Sequence, residues 1–290
     1  MIFKMSYSGY ALNCDLIISK RFNTGPEYIK SLEKLKDNDK IFIDPTDLTF
    51  DLNYDDIITI LKNNNIKLNF YIAYEPIIDY SIISKLLEYS YNIYIQNNIY
   101  INPKIHILPI GIRDCETSLK DHAGFNHKYL LEEKNNNRNK DILCLLCFTI
   151  NTNSKRINCA NILGNTDYIL NLYKYFYFER STICGRVPVV VNYEYTSRAV
   201  YVLSPDGYGI DTHRFFEAIY LNSIPIVVKQ NNNFDKLYNF FPCLIIEKWE
   251  DITKEFLILK IPECIDKLKI FHEKYPNFLL EIDENILNNL

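Results

Sequence analysis

The chain is poor in glycine, with 8 in 290 residues, and the four in its first half, Gly9, Gly25, Gly111 and Gly124, never fall into a Gly-x-Gly-x-x-Gly spacing. Without that spacing a backbone cannot close on the pyrophosphate of a dinucleotide, which sets aside a nucleotide-sugar epimerase or dehydrogenase built on that fingerprint. No apolar run reaches the roughly 20 residues that span a bilayer, and the first residues lack the form of a signal peptide, so a cytoplasmic protein or an excised domain is expected. There is no Asn-x-Ser/Thr sequon. A net charge of −4 gives no global attraction to nucleic acid or to an anionic membrane.

Cysteine is not scarce, at 8. Cys144, Cys147 and Cys243, however, lie in apolar runs where a thiol acts as a small hydrophobe. Cys144 and Cys147 have the spacing of half a zinc site, but on a strand they point to opposite faces, and no second Cys or His pair follows. His106, His122, His127 and His272 are scattered without ligand spacing. Asp37-Asn38-Asp39 has the form of a metal-diphosphate motif but precedes a strand instead of following one, which reads as a solvated turn. No metal and no cofactor is expected.

What is present is an ordinary globular composition, 48% apolar and 23% charged, with length for one large core or two domains. The first half alternates helix-like and strand-like segments: a helix at 26–36, a strand at 40–44, a helix at 55–62, a strand at 67–73, a helix at 77–90, and short strands at 93–96 and 105–108. Such alternation predicts a parallel sheet covered by helices. The most polar stretch, 130–140, reads as an interdomain linker. A second alternation begins with a strand at 141–148 and ends in helices at about 251–259 and 263–274. Short Asn runs mark loops.

The most informative segment runs from Tyr201 to Val228: a buried strand, a loop with Gly207 and Gly209, a helix opened by Asp211 or Thr212, and a second buried strand. A strand, a glycine loop and a helix N-terminus in that order converge N–H groups and the positive dipole end on one spot, which suits an anion. Arg214 and Glu217 share a helix face at i and i+3; a guanidinium suits phosphate and a carboxylate suits ribose hydroxyls. The plain alternative, a surface pair on a helix, leaves Ser204, Pro205, the glycines and the cap unexplained. Asn153 and Arg156, at the first helix of the second half, read either as a cap or as a second phosphate clamp.

The run "LSPDGYGIDTHRFFEAIYLNSIPIVV" resembles the donor-site signature of exostosin-like glycosyltransferases, family 47 in the broad sense, including short forms from bacteria and large DNA viruses. "NPKIHILPIGIRD", "LCFTINTNSKR" and "LYNFFPCLIIEKWEDIT" match in order but more weakly. The resemblance covers residues from about 100 to 253. It implies an α/β fold of GT-B type, with two Rossmann-like domains facing a cleft: an acceptor domain at 1–135, a nucleotide-sugar domain at 141–274, and a segment 275–290 packing back on the first.

The resemblance further implies a metal-independent, inverting hexosyl or pentosyl transfer from a nucleotide sugar, often UDP-linked, to a glycan hydroxyl. The donor would be held by Asn153, Arg156, Ser204, Pro205, Gly207, Gly209, Asp211, Thr212, His213, Arg214 and Glu217. An inverting transfer needs a general base; Asp114 or Glu116, after the strand at 105–108, fits, with Asp44, Asp47 and Glu75 in reserve as residues equally explained by turns. The alternative from another class is a non-catalytic glycan-binding or scaffolding paralogue.

Overall fold

The computed structural model describes residues 2–3, 5, 7–19, 28–44, 54–73, 78–112, 127–174, 187–278 and 282–290. They divide into two compact units, Met1–Ile110 with Asn232–Phe234 and Leu280–Leu290, and Gly111–Asn231 with Asp235–Leu279.

In the first unit a short strand β1 (Ile2–Phe3) precedes β2 (Leu16–Ile18), β3 (Lys40–Ile43), β4 (Leu68–Ile72), β5 (Ser90–Ile95) and β6 (Ile105–Ile107). Strands β2 to β6 form a parallel sheet whose order in space is their order in sequence. Right-handed crossovers at each step then place the connecting helices on one face. That face is the core: Ile41, Phe70, Ile72, Ile93 and Ile95 meet Leu32, Ile57, Leu61, Ile83 and Leu86 of the helices Tyr28–Leu32, Tyr54–Asn64 and Tyr80–Leu87.

Strand alternation sends Lys40, Phe42, Tyr71, Tyr94 and His106 to the other face. There Tyr71 stacks on Tyr94 with ring centroids 4.6 Å apart, and Tyr94 on His106 at 5.2 Å. The C-terminus covers this face. The strand Ile282–Asp283 pairs antiparallel with β1, and Asp283 caps the helix Glu284–Asn289 that follows. Glu284 accepts from Lys40 Nζ at 3.0 Å and from the Tyr71 hydroxyl at 3.2 Å, Asn288 accepts from the Tyr94 hydroxyl at 2.5 Å, and Leu287 is fully buried.

The second unit holds β7 (Ile142–Leu146), β8 (Ile169–Asn171), β9 (Ala199–Leu203), β10 (Ile224–Val228) and β11 (Leu244–Ile246). All are parallel, in the order β8-β7-β9-β10-β11. The chain steps outward from β7 to β8 and then crosses back to place β9 on the other side of β7. This reversal leaves a crevice at the carboxyl ends of β7 and β9, which is where open α/β sheets bind ligands. The sheet of the first unit has no such reversal among the described residues.

Three local expectations change. The polar stretch 130–140 lies within the second unit, because its charges have partners there: Glu133 accepts from Arg138 Nε at 2.9 Å and from Ser197 Oγ at 2.5 Å, and Lys140 Nζ reaches Ser223 Oγ at 2.7 Å. The two C-terminal helices are one, Lys254–Lys274, capped by Thr253. Pro262 sits inside it on an exposed face, where water can satisfy the carbonyl that its missing N–H leaves open. The predicted helix at 77–90 is shorter, Tyr80–Leu87, because Asp79 caps it through Ser81 N. The Asp37–Asp39 stretch is a turn, with Asn38 at φ 72° and the Asp37 carboxylate accepting from Lys67 N at 2.8 Å and Tyr91 OH at 2.7 Å. Among the described residues no helix is long and apolar enough to cross a membrane.

Candidate functional site

The crevice is built from the loops that follow β7 and β9. Asn153 joins them: its Oδ1 accepts from Lys155 N at 2.9 Å, capping the helix Ser154–Leu163, and its Nδ2 donates to Gly207 O at 2.7 Å. Arg156, one turn into that helix, donates from Nε to Asp206 O at 2.9 Å and from Nη1 to Thr149 O at 3.3 Å. Gly207 leaves room for this packing, since a Cβ there would lie 2.7 Å from Arg156 Nη2 and displace the end of that side chain. Gly207 N donates to Gly209 O at 2.8 Å, which folds the loop back on itself.

The helix His213–Tyr220 leaves this loop. Its N-cap is Thr212, which makes no side-chain cap, because its hydroxyl is turned to Ser204 Oγ at 3.1 Å. Asp211 accepts from Thr212 N at 2.9 Å, which braces the entry to the helix. The first turn is therefore not closed by the side chain at its N-cap, the arrangement that suits an anion.

Two guanidinium groups lie over one aromatic ring. Arg214 Cζ lies 5.5 Å and Arg156 Cζ 5.8 Å from the centroid of the buried Phe148 ring, just beyond β7. Glu217 is buried one turn on and accepts from the Tyr193 hydroxyl at 3.1 Å. Burial pushes the Cys147 thiol up to about 12, with Arg214 opposing the shift and Glu217 adding to it, so both charges act on the end of β7. His213 Nδ1 lies 2.8 Å from Gly111 O and donates to it.

The far end of the same helix is held by donors from elsewhere in the unit. Ile219 O accepts from His272 Nε2 at 3.1 Å, Tyr220 O from Lys134 Nζ at 2.9 Å, and Leu221 O from Lys140 Nζ at 3.3 Å. Asn222, at φ 59°, closes the turn. Positive or donor groups at a helix C-terminus complement its dipole. Burial pushes His272 down to about 4 and the Lys140 amine down to about 7.

Beside the crevice is a cleft of about 420 Å³ at the carboxyl ends of β9, β10 and β11, lined in part by Asn158, Asp206, Gln230, Lys248 and Trp249. Lys155 Nζ lies 2.5 Å from Asp206 Oδ2, and Gln230 Nε2 lies 3.3 Å from Asp206 Oδ1.

No family model and no curated protein matches the chain. Among solved structures, a protein named for trehalose-6-phosphate from E. coli, bound with UDP-2-fluoro glucose, is similar at 12% identity and a TM-score of 0.40, covering 86% of this chain and 75% of that one. A protein from Listeria monocytogenes assigned as a UDP-N-acetylglucosamine 2-epimerase is similar at 12% identity and a TM-score of 0.35, covering 83% of this chain and 72% of that one.

The structure brings Asn153, Arg156, Ser204, Pro205, Gly207, Gly209, Asp211, Thr212, His213, Arg214 and Glu217 to the two loops and the helix that follows them in the second unit. Asp114 and Glu116 lie outside the described residues, as do Asp47, Glu75 and His122. Asp44 is buried at the carboxyl end of β3 in the first unit. Among the described residues no group of three or more His, Cys, Asp or Glu side chains is placed to hold a metal ion. Cys147 packs with Leu145 and Ala218 on one face of β7, while Cys144 is buried on the other. Sequence reasoning missed Lys155, Asp206, Gln230 and Tyr193. A signal existed for Lys155: like Arg156 it is a cation in the first turn of a helix, where a cation is disfavoured unless an anion is near.

Proposed function

We propose that the protein is an inverting glycosyltransferase of exostosin-like type, moving a hexosyl or pentosyl group from a UDP-linked donor to a hydroxyl of a glycan. The observation that carries this reading is a helix N-terminus that its own N-cap side chain leaves uncapped, with Arg156 and Arg214 each over the Phe148 ring. A helix N-terminus without a side-chain cap, with cations nearby, favours a bound anion, and a nucleotide diphosphate would span the loop, the helix and the cleft.

In this reading the loop 205–210 and Arg214 hold the diphosphate, Glu217 takes the ribose hydroxyls, and the nucleoside end enters the cleft beside Asn158 and Trp249. The acceptor oxygen attacks the anomeric carbon on the face opposite the diphosphate, Asp114 or Glu116 takes the hydroxyl proton, and the carbon–oxygen bond to phosphate breaks with its electron pair leaving on the nucleotide. Preorganised guanidinium and backbone N–H groups stabilise that developing charge without a metal.

The test is release of nucleotide from a panel of UDP-, GDP- and ADP-sugars with and without EDTA, for wild type and Arg214→Ala. Metal-independent use of one donor, reduced at least about tenfold in the variant, is expected, since a charge-assisted contact contributes about 1.5–3 kcal/mol. Absence of binding to every donor overturns the reading. Binding without turnover in the presence of glycan acceptors favours the non-catalytic, glycan-binding alternative.

A further inference from the structure

We infer that Lys155 is the counter-charge that allows the loop after β9 to take an anion, by neutralising the carboxylate of Asp206. The inference rests on the donor-site reading above.

Asp206 stands between Pro205 and Gly207, in the loop assigned to the diphosphate, and it is buried, at 6% exposure. A carboxylate in that place repels the ligand the loop is built to hold. Its surroundings divide into fixed and movable parts. The backbone is fixed by Arg156 Nε on Asp206 O at 2.9 Å and by Asn153 Nδ2 on Gly207 O at 2.7 Å. Gln230, which faces Asp206 Oδ1 at 3.3 Å, is itself held by its own N–H on Asp235 Oδ1 at 2.9 Å and by its Nε2 on Val228 O at 2.9 Å.

Lys155 is the movable part. Its side chain is 56% exposed at the mouth of the cleft, with Nζ 2.5 Å from Asp206 Oδ2 and 3.5 Å from Gln230 Oε1. The ammonium can therefore stay on Asp206 while Asn153 and Arg156 keep the loop in place, so that the carboxylate is covered when a phosphate enters. Lys155 also sits in the first turn of the helix Ser154–Leu163, where a cation is disfavoured without an anion. Asp206 supplies that anion before the ligand arrives. Lys155 acts as a positioning residue, and its effect on the ligand runs through Asp206.

The experiment is calorimetric titration of the full chain with UDP and, separately, with inorganic pyrophosphate, for wild type, Lys155→Met, Lys155→Arg, Asp206→Asn and the double variant Lys155→Met with Asp206→Asn. Uncovering one negative charge near the ligand is expected to weaken both probes on the order of tenfold in Lys155→Met, with Lys155→Arg retaining affinity. Asp206→Asn is expected to bind at least as tightly as wild type, and the double variant to return to within about threefold of it, as for two residues whose effects are coupled.

If the pair only braces the loop, Asp206→Asn weakens binding as much as Lys155→Met does and the double variant recovers nothing, which overturns the inference while the donor site stands. Wild type that binds neither UDP nor pyrophosphate overturns the donor-site reading itself, and the inference with it. Circular dichroism of each variant keeps loss of fold separate from loss of binding.

Discussion

A sheet wound in one direction needs something other than its own crossovers to cover its second face, and in the first unit the C-terminal helix does this. Leu287→Ala tests that role. Leu287 is fully buried, and truncating a buried leucine costs about 2–5 kcal/mol, the low end applying where the surroundings can collapse. A six-residue helix at the end of the chain can relax, so the expected loss is about 2–3 kcal/mol. Hydrogen exchange of the β3, β4 and β5 amides should then accelerate by roughly 30-fold or more. The only tryptophan, Trp249, lies in the second unit, and its emission under native conditions should not change. Leu259→Ala, at a side chain 76% exposed, serves as the control and should move neither signal. Unchanged exchange in β3 to β5 would refute the reasoning, since the sheet face would then owe nothing to the helix.

Other substitutions separate the roles of single contacts. Asn153→Asp keeps an oxygen to cap the helix but has no donor for Gly207 O, so the protein should stay folded within about 1 kcal/mol while UDP binding weakens; equal loss in stability and binding would contradict this. Gly207→Ala forces the Arg156 guanidinium aside and should reduce UDP affinity about tenfold, as loss of one or two charge-assisted contacts does; unchanged titration curves would show that Arg156 has no part in the site. His272 is held down at about 4 against an ordinary 6.5 by burial and by Lys134. The unfolded chain therefore takes up a proton as pH falls through 6.5 while the fold resists until about 4, so this group removes stability across that window and none above it. His272→Gln, which still donates to Ile219 O, should flatten the fall of the urea midpoint between pH 7 and 4.5, as roughly one titrating group fewer; an unchanged slope would place the effect elsewhere.

Much of the second unit is legible in sequence because its signals are local. The apolar runs of β9 and β10, with a loop and an amphipathic helix between them, give Ala199–Leu203, His213–Tyr220 and Ile224–Val228 within a residue or two. Asn153 as a cap is equally local. What escaped depends on partners far along the chain. Lys155 and Asp206 are 51 residues apart, and Lys40 and Glu284 are 244 apart, so nothing near either residue announces the pair. Thr212 fails to cap because Ser204, across the loop, competes for its hydroxyl. The separate helices expected at 251–259 and 263–274 are one, because Pro262 lies on a face where water replaces the lost bond. The stretch 130–140 reads as a linker because it is polar, whereas Glu133, Lys134 and Lys140 spend those charges on Ser197 and on the end of the helix His213–Tyr220.

The crevice at the carboxyl ends of β7 and β9 is proposed to bind a nucleotide diphosphate. Hydrogen exchange of the full chain with and without saturating UDP tests it most directly. Slower exchange is expected at the amides of residues 149–156 and 206–215, with no protection in β2 to β6; protection confined to the first unit, or none anywhere, would overturn nucleotide binding in the crevice.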